Sequence, residues 1–177
     1  MMDPMRGPLL GALIGAIGGL VFVLVNAGGL PAAWVTPVRG IGLVAFLAVL
    51  SRIISGARRP SPSGPAPSRK AWRVYWTSVG LEVLALPLGA NLLARVQQPQ
   101  LTLPWVVFVV GAHFLPFSRV FAAPVFRALA WTLIGLSLVG AALTLAGWPT
   151  APAATAVLAG FALLGFSLFG GRGRRAP

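Results

Sequence analysis

Apolar residues run along this chain in six stretches of roughly 16 to 23 residues, parted by short breaks rich in Pro, Gly, Arg or small polar residues. The stretches cover about 8–27, 38–56, 71–94, 101–120, 124–146 and 152–170. A bilayer core about 30 Å thick takes about 20 apolar residues of helix. The pattern therefore predicts an all-α integral membrane protein, a six-transmembrane-helix bundle forming a single transmembrane domain over residues 1–177. The longest polar segment, 57–70, reads ARRPSPSGPAPSRK and is expected to be a linker that cannot pack or stay helical. Residues 171–177 form a basic tail.

Individual stretches carry their own signals. The first follows Arg6 and has the charged start and apolar body of a signal peptide as well as of a membrane helix. Its length exceeds the usual 7 to 15 residue signal core, and five more stretches follow, so a retained span is expected. In the third, Pro87 cannot donate to the carbonyl of Val83, which predicts a helix kink. The fourth is the weakest, because Pro104 and Pro116 leave a short uninterrupted interior; a tilted or re-entrant segment is an alternative there. The turn strings Gly29-Leu-Pro and Gly147-Trp-Pro are alike, but in an alphabet this rich in Gly, Ala, Leu and Pro the similarity reads as coincidence.

Charge sets the expected orientation. In the six-span arrangement Arg6, Arg52, Arg58, Arg59, Arg69, Lys70, Arg73, Arg119, Arg127, Arg172, Arg174 and Arg175 fall on one side, against Arg39 and Arg95 on the other. Basic residues resist translocation, so the first side is expected to be cytoplasmic, with N-in/C-in topology in a plasma or inner membrane. The six Trp agree: Trp34, Trp105 and Trp148 mark one boundary, and Trp72, Trp76 and Trp131 the other. The same bias accounts for the net charge of +12 without a nucleic-acid partner, and the lipid bilayer is the expected surrounding. Thirteen Arg against one Lys, with abundant Ala, Gly and Pro, suggest a GC-rich bacterial source.

Composition also narrows the chemistry. Without Cys there is no disulfide, thiolate catalysis or cysteine metal site. A metal centre needs three or four ligands, whereas the spans offer one His and one Glu. No serine sits in a recognised nucleophile turn, so neither an enzyme nor a cofactor is expected.

Two constellations stand out. Gly7, Gly11, Gly15 and Gly19 recur every four residues in the first span, a flat stripe that lets another backbone approach closely. An internal helix contact is the first expectation, and a homo-oligomer or membrane-protein partner the alternative. The hexapeptides from Gly135 to Gly140 and from Gly165 to Gly170 read as packing seams too.

The second constellation is ionisable. Glu82 lies nine residues from Arg73, and His113 nine residues from Pro104, each about 13 Å into the membrane on consecutive antiparallel spans. Tyr75, Ser78, Glu82 and Gly89 fall within about 40° of one line on the third span. An ionisable residue at the helix centre costs about 2.5 to 3.5 kcal/mol on insertion scales, so each needs a partner or hydration. Functionally, Glu82 and His113 would share a proton on a path for a proton or small solute. Structurally, Glu82 would bond Ser78, a carbonyl freed by Pro87, Arg52 or Arg119. A protein that moves or senses a proton or small solute is the first expected function, and a noncatalytic membrane subunit or assembly factor the second.

Overall fold

The computed structural model describes residues 7–57, 68–120 and 124–169. It is helical throughout: α1 (Gly7–Asn26), α2 (Ala32–Ala57), α3 (Arg69–Arg95), α4 (Thr102–Val120), α5 (Pro124–Leu145) and α6 (Ala151–Phe169). Among the described residues, six helices are long and apolar enough to cross a membrane. Arg6, the linker except for its ends, and the basic tail lie outside the described residues.

The turns follow from local chemistry. A 3₁₀ segment, Ala27–Gly29, and Pro31 lead from α1 into α2. Ser68 caps α3 by accepting the Ala71 N–H at 3.2 Å. After α5, the N–H groups of Gly147 and Trp148 return to the carbonyls of Thr144 and Leu143, and Gly147 takes φ 86°. The same closure ends α3, where Gln97 and Gln98 donate to Ala94 and Leu93 and Gln97 holds φ 59°. Glycine usually fills that left-handed position; here a glutamine does.

Two prolines stand near helix starts. The fourth span, expected over about 101–120, is a single helix: α4 is continuous over Thr102–Val120, entered through a 3₁₀ turn, Pro99–Leu101. Pro104 occupies its first turn, where an N–H has no intrahelical acceptor, so the ring costs nothing there. Similarly, α2 begins at Ala32 instead of near Val38 and carries Pro37 inside it. A proline near a helix start removes one hydrogen bond and does not set the boundary.

Packing converges on α6. One core cluster joins Val107 of α4, Leu129 and Leu133 of α5, and Ala159 and Leu163 of α6. The other joins Ala16 and Val23 of α1, Val49 of α2 and Leu164 of α6. The broadest helix contacts are α4 with α5 and α1 with α6. At the α1–α6 crossing a Cβ on Gly19 would lie 2.7 Å from the Gly160 carbonyl oxygen, and one on Gly160 would lie 2.6 Å from that of Gly19. Two backbones thus meet directly, the close approach that small residues permit where no hydrophobic drive separates helix from lipid. By contrast, α3 packs chiefly on α4 and buries only Ala71 and Ser78.

Two buried threonines bond back to their own helices. Thr144 donates to the Gly140 carbonyl and Thr155 to that of Ala151, each one turn back along its own helix. Arg39 donates to the Leu24 carbonyl at 3.1 Å and Arg52 to that of Leu168 at 2.7 Å. Both arginines on α2 therefore serve free carbonyls at the C-terminal ends of neighbouring helices, α1 and α6.

Candidate functional site

The α4-facing side of α3 is a seam spaced alternately by three and four residues: Ala71, Tyr75, Ser78, Glu82, Ala85 and Gly89. Each named contact between the two helices falls on it. At one end, Tyr75 stacks on Phe117 with ring centroids 5.6 Å apart and planes 17° off parallel. Midway, Glu82 Oε2 lies 3.2 Å from His113 Nδ1. At the other end, Trp105 donates its indole N–H to the Ala85 carbonyl at 3.1 Å, its ring occupying the space a Cβ on Gly89 would fill.

The Glu82 and His113 side chains are 22% and 11% exposed, so the pair is largely enclosed between the helices. Nδ1 of His113 is buried and makes no aligned hydrogen bond. The helices thus bring the two groups to ion-pair distance without locking them in a directed bond.

The side toward the α3 N-terminus is closed by rings. His113 meets Phe117 edge to face at 4.5 Å and Phe114 at 5.2 Å. Phe114 stacks on Phe126 of α5 at 5.9 Å, and Tyr75 packs roughly perpendicular to Trp72 and Trp76. This aromatic cluster is absent from the sequence reading. Its signal was present, since His113-Phe-Leu-Pro-Phe117 puts an imidazole and two phenyl rings at one-turn spacing.

The other singled-out residues are placed as follows. Ser78 is buried on the seam one turn before Glu82. Pro87 lies inside α3, and the carbonyl of Pro87 itself accepts the Asn91 side chain at 2.8 Å. Arg52 is engaged with Leu168, not with Glu82. A Cβ on Gly15 would meet Ser167 Oγ at 2.8 Å, and Gly19 abuts Gly160, so this half of the stripe faces α6. A Cβ on Gly11 would meet nothing within 4 Å, and the surroundings of Gly7 lie outside the described side chains. Gly135 and Gly165 also face open space, whereas Gly140 abuts Thr155, so the two hexapeptides are not seams along their whole length.

Shallow apolar hollows flank the bundle, among them one against α4 and α5 and one between α5 and α6. The larger, about 270 Å³, lies beside Trp105 and Phe108 between α3, α4 and α5. Neither hollow contains Glu82 or His113. Among the described residues, no three His, Cys, Asp or Glu side chains gather. Neither a protein-family profile, a curated protein nor a solved structure matches the chain.

Proposed function

We propose that this is a multi-pass protein of the plasma or inner membrane, with both termini cytoplasmic, that binds and releases a proton at Glu82 and His113 in order to move or sense a proton or small solute. One observation carries the reading: the only glutamate and the only histidine of the chain sit 3.2 Å apart inside helices of membrane-spanning length. Ionisable groups are expensive there and persist where they are used or mutually satisfied.

The test is proton flux into vesicles holding the purified protein, driven by an imposed pH gradient. Flux in the parent that vanishes in Glu82→Gln, with helicity and thermal stability retained, is the expected result. No flux in the parent removes the transport reading. Reporter fusions after residues 64 and 177 should report the cytoplasm, and fusions near Gln98 and Pro149 the outside.

A second reading, a noncatalytic membrane subunit or assembly factor, rests on a different observation. The flanks of α3 leave Leu84, Leu88 and Leu92 exposed, and Gly11 and Gly18 of α1 face open space. A helix held chiefly by one neighbour suits docking to another membrane protein or a second copy. In-membrane cross-linking from position 88 that captures a discrete partner would favour this reading over transport.

A further inference from the structure

We infer that the end of the bundle formed by the start of α3, the end of α4 and the start of α5 is a docking surface for anionic phospholipid headgroups. This surface is separate from the Glu82 and His113 pair and does not depend on the function proposed for it. The argument begins with charge. Fourteen basic residues face two acidic ones, Asp3 and Glu82, and Glu82 lies against His113. Almost every cation must therefore find its counterion outside the chain.

Ring contacts fix where these cations sit. Tyr75, Phe117 and Phe126 meet across α3, α4 and α5 and define one level. Arg73, Arg119 and Arg127 lie two, two and one residues from that level, hence within about 3 Å of it along the helix axes. Arg69 and Lys70 follow one turn further out on α3. All five are exposed, and among the described residues none makes a side-chain hydrogen bond or ion pair, unlike Arg39 and Arg52, which hold helix-end carbonyls. Arg69, Lys70 and Arg127 also stand in the first turns of α3 and α5, where the helix dipole is positive and repels them. An external anion relieves both the mutual and the dipolar repulsion.

Neighbouring side chains decide what kind of anion. Trp72, Trp76 and Trp131 are exposed within about two turns of the arginines, and bare aliphatic helix surface such as Leu81 and Leu84 follows directly behind them. Aromatic rings between a cationic rim and an apolar wall match the headgroup level of a bilayer. A soluble acidic partner would cover the rim and leave the wall bare. The arginines diverge around the helices instead of converging on one point: Arg73 lies about 160° around α3 from Tyr75, which faces α4. The surface therefore addresses several headgroups at once, each basic residue contributing about fivefold in partitioning at low salt.

The test uses full-length protein in vesicles of about four parts phosphatidylcholine to one part phosphatidylglycerol, extracted gently and assayed for retained lipid. Phosphatidylglycerol should be enriched at least about threefold over its bulk proportion, and the enrichment should fall as salt is raised from about 0.05 to 0.5 M. The triple variant Arg73→Gln, Arg119→Gln, Arg127→Gln should return to the bulk proportion, while Arg95→Gln at the opposite end should not. Retained lipid at the bulk proportion in the parent, or equal loss in Arg95→Gln, overturns the inference. So does enrichment insensitive to salt, a readout that needs no variant to fold. Inorganic phosphate should give no thermal protection in neutral detergent; protection equal to that of phosphatidylglycerol would show a simple anion site instead.

Discussion

Replacing Gly19 by Ala tests the α1–α6 crossing more sharply than any larger substitution. The added Cβ would lie 2.7 Å from the Gly160 carbonyl oxygen and 3.0 and 3.1 Å from carbons of Leu164 and Leu163. The first of these neighbours is backbone and cannot rotate away. The helices must part by several tenths of an ångström, and a gap of 0.5 to 1 Å forfeits about a quarter to a half of each dispersion contact along the seam. Overpacking of this kind costs about 1–3 kcal/mol. Alanine also raises helix propensity by about 0.8–1 kcal/mol over glycine, which blurs a single measurement. Gly11→Ala removes the ambiguity: it lies on the same helix and meets nothing within 4 Å, so propensity cancels in the difference. Gly19→Ala should thus be less stable than Gly11→Ala by about 1–3 kcal/mol in reversible unfolding from mixed micelles, followed by circular dichroism. Gly160→Ala should behave like Gly19→Ala. Their double variant should cost at least about 0.5 kcal/mol less than the sum, because one separation accommodates both methyl groups. Equal unfolding midpoints for Gly11→Ala and Gly19→Ala would refute the backbone-contact argument.

Three further outcomes are expected. Glu82→Gln and His113→Gln should each destabilise, and the double variant should cost less than the sum by at least about 0.5 kcal/mol in a thermodynamic cycle; strict additivity would mean that the 3.2 Å approach carries no energy. Gly89→Ala should displace the Trp105 ring and break its bond to the Ala85 carbonyl, seen as a shift in tryptophan emission that Gly80→Ala, with open space around it, does not produce. Gln97→Gly should raise stability by about 0.5–1 kcal/mol, because a left-handed φ of 59° costs glutamine what it spares glycine; an unchanged or lower thermal midpoint would count against that turn geometry.

Hydropathy made the six helices legible because a bilayer imposes one length on every span, and runs of about twenty apolar residues have few other uses. Helix ends were less legible where proline stood near them. Pro104 was weighed as limiting the fourth span, yet a proline in an opening turn is nearly free, whereas Pro37 lies further inside α2 and still does not set its start. Equal depth on adjacent antiparallel helices located Glu82 and His113 relative to each other, since a 1.5 Å rise turns residue count into height. Helix rotation about its own axis was harder. Tyr75, Ser78, Glu82 and Gly89 were recognised as one line, but nothing in their spacing showed that the line faced Trp105 and Phe117. Trp105, taken as a headgroup marker from its position, spends its indole N–H on α3. The glycine stripe divides: Gly15 and Gly19 reach α6, while a Cβ on Gly11 would meet nothing within 4 Å.

The placement of the pair on α3 bears on both proposed functions. Four of the helices share α6 or the α4–α5 contact, whereas α3 is held by a single seam whose fixed points are the Tyr75–Phe117 stack and the Trp105 bond. Elements with few buried contacts open at lower free energy than the core they rest on. Sliding or tilting α3 would leave both core clusters intact, since neither contains an α3 residue, yet would separate Glu82 from His113. Proton exchange at the pair, as proposed, would therefore be coupled to the position of α3 through one interface. A ligand, partner or proton that prefers one position must bias the other, by no more than its own difference in affinity between the two.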